Sequence, residues 1–203
     1  RKNDEQYSFD SGHHRDWMRY LSHDNWRPDV IINAAAVTNV DRCETEREEA
    51  WRTNVKLVES LVRVASALGS TIIQPSTDYI FDGKNGPYTE EATPNPINYY
   101  GRTKLAAENV CIRSTVPHLI ARTMWLYGPH QTGRSTFIDW VLARLQTKEA
   151  IAVVTDERGS PTLTDDVAFA ILRAIERNKT GILNLSGPDT VSRWTLAQEI
   201  ALT

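Results

Sequence analysis

The chain reads as an α/β protein built on a mostly parallel, doubly wound sheet. Two observations predict this. Short apolar runs recur at 29–36 (DVIINAAA), 70–75 (STIIQP) and 118–122 (HLIAR), and helical patterns lie between them. Apolar runs of this length suit parallel strands buried on both faces. Their alternation with helices argues for βαβ units. Sheets of this kind bind ligands beyond the carboxyl ends of their strands. The residues just after each run are therefore the ones to read for chemistry.

The helices follow from periodicity and caps. Trp17, Met18 and Leu21 predict a short helix over 12–25 behind Ser11 as its cap. Trp51, Val55, Val58, Val62 and Ala65 recur at three- and four-residue steps within 44–68, and Gly69 stands where a C-cap glycine belongs. The stretch NYYGRTKLAAE places Tyr100, Thr103, Ala107 and Val110 on one stripe, with Lys104 beside it. Further on, GSPT (159–162) predicts a turn and Thr164 the cap of a helix reaching Asn178. Asp165 and Asp166 in its first turn suit the helix dipole. GILNLSG (181–187) predicts a last strand, and Ser192 the cap of a last helix.

Composition excludes several classes of function. The chain has 203 residues, 40% apolar and 24% charged, which is globular rather than disordered. A formal net charge of −3 without a basic run points away from nucleic acid. No apolar stretch is long enough to span a membrane. Cys43 and Cys111 are too few for a disulfide framework and suit a reducing, cytoplasmic setting. The five histidines, His13, His14, His23, His118 and His130, show no metal-ligand spacing, so no metal is assigned through them. The chain opens on RKNDEQYSFD and stops inside a helical pattern, so the sequence is expected to be a piece of a longer protein.

Tyr100 and Lys104 stand four residues apart, which makes them neighbours on a helix face. A lysine ammonium about 4 Å from a phenol contributes roughly 4 kcal/mol at an effective dielectric near 20. That is enough to offset burial and bring the phenol toward neutrality, where acid–base catalysis is efficient. Thr77, just past a predicted strand, would hydrogen-bond the same substrate oxygen. Such a group donates a proton to a carbonyl oxygen while hydride reaches its carbon. A Tyr-x-x-x-Lys pair also arises often by chance, so its surroundings matter.

Those surroundings are STDYIFDG (76–83), PYTEEATPNPINYYGRTKLAAE (87–108), VIINAAAVTNVDRCE (30–44), RTNV (52–55), ARTMWLYG (121–128) and GSPT (159–162). In this order they resemble the dTDP-4-dehydrorhamnose reductase family of the extended short-chain dehydrogenase/reductase superfamily, over nearly the whole chain. The resemblance implies a Rossmann-like fold. Residues 1–123 would form a dinucleotide-binding domain and 124–203 a smaller substrate-binding region, with helix 164–178 packing back on the first. It implies NADPH or NADH as cofactor and a nucleotide-linked 4-keto-6-deoxy sugar as substrate, reduced at C4. Thr77, Tyr100 and Lys104 fall on the family's catalytic positions, Lys104 also meeting the nicotinamide ribose. Ala34, Ala35 and Ala36 fall where the backbone passes the cofactor. Asn54 falls on the position that orders the lysine, and Asp10 near the one that meets adenine. Trp125, Thr162, Asp78 and Tyr79 would border the sugar. Mg2+ or homodimer contacts would be carried by a C-terminal segment absent from this sequence.

The sequence also departs from the family pattern. No Gly-x-x-Gly-x-x-Gly occurs, so the phosphate-binding unit is expected upstream of residue 1, with Arg1 and Lys2 as a remnant of the 2′-phosphate contacts. Val37 replaces a frequent Tyr and Glu157 a frequent Gln. Asp78 is followed by Tyr79 rather than a second carboxylate, which disfavours a dehydratase. An epimerase of the same superfamily remains open. So does a non-catalytic regulatory subunit resembling that of methionine adenosyltransferase.

Overall fold

The computed structural model describes residues 27–129 and 135–202. Asp10, Arg1 and Lys2, the expected helix over 12–25, and four of the five histidines lie outside the described residues. The described residues fall into two compact units. The first runs up to Ala121 and includes Lys179–Leu183; the second comprises Arg122–Asn178 and Asn184 onward.

The first unit is a parallel sheet flanked by helices, the expected Rossmann-like α/β architecture. Its strands are β1 (Val30–Ile32), β2 (Thr71–Thr77), β3 (His118–Thr123) and β7 (Gly181–Asn184), in that spatial order. β1 runs parallel to β2, with Val30 opposite Thr71 and Ile32 opposite Ile73. β1 is shorter than its apolar run: Asn33 still donates its N–H to Ile73 O at 3.0 Å, and the Ala34–Ala36 segment then leaves the sheet. The Asn33 side-chain amide donates to the Gln74 Oε1 at 2.9 Å, a buried polar pair between the end of β1 and the middle of β2.

The region expected as one helix over 44–68 is a series of shorter elements. Helix α1 (Val40–Thr45) starts earlier, because the Asn39 side chain accepts from Arg42 N. Glu46 (φ −112°, ψ 54°) interrupts it, and α2 (Arg47–Trp51) follows. A π-helical turn, Arg52–Lys56, then leads into α3 (Leu57–Leu68). Gly69 closes α3 in the left-handed region at φ 73°, as expected of a C-cap glycine. The face of α3 bearing Leu57, Val58, Leu61 and Ala65 packs on Ile72 of β2, Ile120 of β3, and Ala107 and Cys111 of α4 (Tyr99–Ile112). α4 starts at Asn98, whose side chain accepts from Gly101 N at 2.8 Å.

The second unit holds two small ladders, β4 (Leu126–Tyr127) parallel to β6 (Thr162–Leu163), and β5 (Arg158–Gly159) antiparallel to β8 (Val191–Ser192). Its helices are α5 (Phe137–Gln146), α6 (Thr164–Glu176) and α7 (Arg193–Leu202). α5 was not expected, although Thr136 and Asp139 cap it reciprocally. Thr164 is the first residue of α6 rather than its cap; Leu163 holds the cap position without a side-chain bond. Ser192 does cap α7, accepting from Thr195 N at 2.9 Å. Among the described residues no helix is long and apolar enough to cross a membrane.

Candidate active site

Three consecutive residues at the carboxyl end of β2 each engage one residue of α4. The Pro75 carbonyl accepts from Lys104 Nζ at 2.7 Å. Ser76 Oγ donates to Glu108 Oε1 at 2.5 Å. The Thr77 side chain lies close enough to the Tyr100 phenol to favour its ionised form. Tyr100, Lys104 and Glu108 are spaced by four, so they share one face of the helix. All six except Pro75 are buried.

Gly101 makes this approach possible. A Cβ there would lie 2.1 Å from the Tyr79 carbonyl oxygen. The first turn of α4 is therefore pressed directly against the short turn Asp78–Ile80 that follows β2. Tyr79 meets Tyr100 edge to face, with ring centroids 5.7 Å apart at 72°. Thr77 Oγ1 donates to Asp78 Oδ1 at 3.1 Å and accepts from Tyr79 N at 3.3 Å. The threonine hydroxyl is thus oriented by its own turn as it meets the phenol.

Asn54 ties a third segment to the site. It sits in the π-helical turn, a local widening often found at functional sites. Its Oδ1 accepts from Val37 N at 2.8 Å, and its Nδ2 donates to Val37 O at 3.0 Å and to Thr103 Oγ1 at 2.9 Å. Thr103 in turn donates to the Tyr100 carbonyl at 2.7 Å. Asn54 therefore acts on α4 through Thr103, and these bonds do not go to Lys104. The same residue fixes the end of the Ala34–Ala36 segment. Asn33 Oδ1 accepts from Ala35 N at 3.2 Å and steadies its start. Ala34 and Ala35 are exposed, and Ala36 is half-buried.

The electrostatics overturn one expectation. Burial pushes the Tyr100 phenol up to about 12; Thr77 opposes this and the Asp78 charge adds to it. Lys104 is absent from the causes that move it. Burial instead pulls the Lys104 ammonium down to about 8, with Glu108 opposing. The physical reason is that the ammonium is directed at the Pro75 carbonyl, and the cost of desolvating the phenolate dominates. At neutral pH the phenol holds its proton. That suits a group that gives a proton to a carbonyl oxygen.

In the second unit Trp125 adopts a left-handed backbone, φ 42°, uncommon for a bulky residue. The Arg193 guanidinium stacks 3.8 Å from its ring centroid, and also lies 4.6 Å from the Phe137 centroid. Gly159 leaves room for the ring, since a Cβ there would lie 2.5 Å from Trp125 Cε2. A cavity of about 140 Å³ is lined by Trp125, Leu126, Tyr127, Thr136, Phe137 and Arg193 among others. Thr162 is buried. Its hydroxyl donates to Ser160 O at 2.8 Å and accepts from Gly187 N at 3.1 Å, while its N–H donates to Trp125 O at 3.2 Å. Its hydroxyl is committed to these loops, so its bearing on Trp125 comes through the backbone. Among the described residues no group of three or more His, Cys, Asp or Glu side chains could hold a metal ion.

Glu108 and Arg193 were not singled out in the sequence. Glu108 stands four residues beyond Lys104, a spacing that pairs charges along a helix, and that signal was available. Nothing local to Arg193 points to Trp125, which is 68 residues away.

Comparison with known proteins bears directly on this arrangement. The family model described as the RmlD substrate binding domain matches residues 11–203. The chain belongs to that family. This RmlD-family chain is 37% identical over 181 residues to a dTDP-4-dehydrorhamnose reductase of Sinorhizobium fredii, covering 85% of the chain and 60% of that protein. It is 36% identical over 177 residues to the dTDP-4-dehydrorhamnose reductase of Escherichia coli K12, covering 84% of the chain and 58% of that protein. Among solved structures, it resembles a hypothetical dTDP-4-dehydrorhamnose reductase from Sulfolobus tokodaii with a TM-score of 0.87 and 36% identity, covering 100% of this chain and 70% of that one. It also resembles the Bacillus anthracis dTDP-4-dehydrorhamnose reductase in complex with NADP, with a TM-score of 0.87 and 30% identity, covering 95% of this chain and 68% of that one. The RmlD-family chain spans about 60% of the length of the curated relatives it matches.

Proposed function

We propose that this chain carries the proton-donating part of an NAD(P)H-dependent reductase acting on the C4 keto group of a nucleotide-linked 4-keto-6-deoxy sugar, dTDP-4-dehydrorhamnose, to give dTDP-L-rhamnose. The observation that supports the reading is the buried Tyr100 phenol, protonated at neutral pH and pressed with Gly101 against the turn that follows Thr77 at the carboxyl end of β2. The relatives named as dTDP-4-dehydrorhamnose reductases support the substrate.

The residues present fit the nicotinamide half of a dinucleotide. An ammonium has three donors, and Pro75 takes one from Lys104. The others can meet ribose hydroxyls. Ala34, Ala35 and Ala36 carry side chains small enough for close approach of a ligand to the backbone, and Asn33 and Asn54 hold that segment in place. The bound nicotinamide supplies the hydride. Tyr100 passes its proton to the sugar O4 as the carbonyl is reduced, and Thr77 holds that oxygen in line. Lys104, a buried cation held on the Pro75 carbonyl, orients the ribose. Within the second unit Trp125 is proposed for contact with the sugar, its ring set by Gly159 and Arg193. Asp78 and Tyr79 shape the turn beside Tyr100 and are proposed to border the substrate. The soluble, cytoplasmic setting and a homodimer belong to the same reading.

The test is Tyr100→Phe in the whole protein, assayed by NAD(P)H oxidation with dTDP-4-dehydrorhamnose. We expect kcat to fall by about 10²- to 10⁴-fold while cofactor binding is retained. Turnover at the wild-type rate would exclude Tyr100 as the donor.

A further inference from the structure

Helix α4 carries Tyr100 in its first turn, and the N–H groups of a first turn have no acceptors within their own helix. Side chains take their place here. Gly101 N donates to Asn98 Oδ1, the local cap, at 2.8 Å. Tyr99 N donates to Glu44 Oε1 at 2.7 Å, although Glu44 lies 55 residues earlier, on α1. The other oxygen of that carboxylate, Oε2, accepts from Arg47 Nη2 at 2.7 Å. The Arg47 guanidinium in turn lies 5.0 Å from the centroid of the Tyr99 ring. Glu44 and Arg47 stand on either side of the break at Glu46 that separates α1 from α2. Glu46 and Glu49 are engaged elsewhere, each 2.7 Å from Arg42. The same α1–α2 corner also packs on the site. Its Cys43 and Ala50 form one buried cluster with Tyr100, and Tyr79 and Tyr99 lie against that cluster.

We propose that Glu44 is a positioning residue: its carboxylate caps α4 from outside the helix and, held by Arg47, fixes the turn that presents Tyr100. A local cap such as Asn98 sets where the helix begins but moves with it. Glu44 belongs to another element, so its bond to Tyr99 N fixes the helix start relative to α1. Tyr99 directly precedes Tyr100, so a shift of one shifts the other. A carboxylate accepting a backbone N–H at a helix N-terminus makes a charge-assisted bond and meets the positive end of the helix dipole. The Glu44–Arg47 ion pair is itself exposed, with side-chain accessibilities of 40% and 60%. Such a pair adds little stability. The part of Arg47 is to orient the carboxylate and cover the Tyr99 ring. The catalytic consequence rests on the reductase reading; the tether between Glu44 and Tyr99 does not.

The experiment compares wild type, Glu44→Ala and Glu44→Gln in the whole protein by amide hydrogen exchange, read by NMR, and by steady-state kinetics with NADPH and dTDP-4-dehydrorhamnose. The Tyr99 N–H is the first of its helix, so slow exchange there reports the bond to Glu44 rather than the helix. Glu44→Ala is expected to speed exchange at Tyr99 by about tenfold or more. It should lower kcat about three- to tenfold and leave KM for NADPH unchanged, because the Asn54 contacts to the Ala34–Ala36 segment are untouched. Glu44→Gln keeps an acceptor oxygen and is expected to restore slow exchange and most of kcat. Tyr99 exchange unaltered in Glu44→Ala would overturn the proposal, and so would fast exchange there with undiminished kcat. If Glu44→Ala does not fold, the wild type still decides: a Tyr99 amide exchanging as fast as in an unstructured peptide would overturn it. A slow Tyr99 amide that Glu44→Ala releases, in a protein without reductase turnover, would leave the tether standing and defeat the reductase reading alone.

Discussion

Asn54 holds the backbone of Val37 at both its N–H, 2.8 Å away, and its carbonyl, 3.0 Å away. One side chain thus replaces strand pairing for the segment that leaves β1, and its third bond, to Thr103, joins that segment to the helix bearing Tyr100 and Lys104. The Asn54 amide is well placed for this because the π-helical turn shifts it relative to a regular helix. Asn54→Ala removes these three bonds, leaving the half-buried Val37 N–H without its side-chain acceptor and the Val37 carbonyl with only the Cys43 thiol. We expect a loss of about 3 kcal/mol in urea unfolding. We also expect a larger rise in cofactor KM than fall in kcat, since the Ala34–Ala36 segment loosens before Tyr100 does.

Lys104 makes stability depend on pH in an unusual direction. The unfolded chain holds the lysine proton up to its ordinary value of 10.5, but the folded chain only to about 8. Between these values unfolding takes up a proton, so stability rises with pH across the window. Below about pH 8 the desolvation penalty is fully present, and above about 10.5 the group is neutral in both states. Urea unfolding of wild type and Lys104→Met from pH 8 upward checks this. The wild type should gain about 3 kcal/mol on the variant across the window. Parallel curves would mean that the ammonium is better solvated than its burial indicates.

Gly101 is expected to be intolerant of any side chain. Its Cβ would meet the Tyr79 carbonyl oxygen, a backbone atom that cannot swing aside. Gly101→Ala should cost about 1–3 kcal/mol through backbone displacement and separate Tyr100 from Thr77, lowering kcat. Gly69→Ala is the contrast: nothing lies within 4 Å of its Cβ, and only the left-handed φ of 73° is strained. About 1 kcal/mol of stability should be lost there, with kcat unchanged.

Gly159 plays the equivalent part for Trp125. Gly159→Ala would drive a methyl group into the indole, displacing the ring from under Arg193. We expect a changed near-ultraviolet circular dichroism signal from Trp125 and a raised KM for the nucleotide sugar. Cofactor affinity should be unaffected. An unchanged KM would remove Trp125 from the sugar contacts.

Much of the first unit was legible along the chain. The apolar run at 70–75 is β2 and Gly69 ends the helix before it, and in the second unit Ser192 caps the last helix. The four-residue spacing placed Tyr100 and Lys104 on one helix face, as found. Other features were hidden for identifiable reasons. Helix α4 (Tyr99–Ile112) buries Lys104 and Glu108, so hydrophobic periodicity understates how much of that face is core. The break at Glu46 and the π-helical turn carry no glycine or proline to announce them. The reciprocal cap at Thr136 and Asp139 was readable and marks a helix that the periodicity did not suggest.

Local rules were sufficient for element type, helix ends and the pairing of residues four apart, because those depend on neighbours along the chain. Where the Lys104 proton goes, and how tightly Tyr100 keeps its own, depended on groups far away in sequence: the Pro75 carbonyl 29 residues off, and the layers that exclude water from both side chains. A pair energy drawn from spacing alone assumes that the two charges face each other in a uniform medium. Folding supplied a nearer partner for the ammonium and a drier surrounding for the phenol, and desolvation then outweighed the attraction.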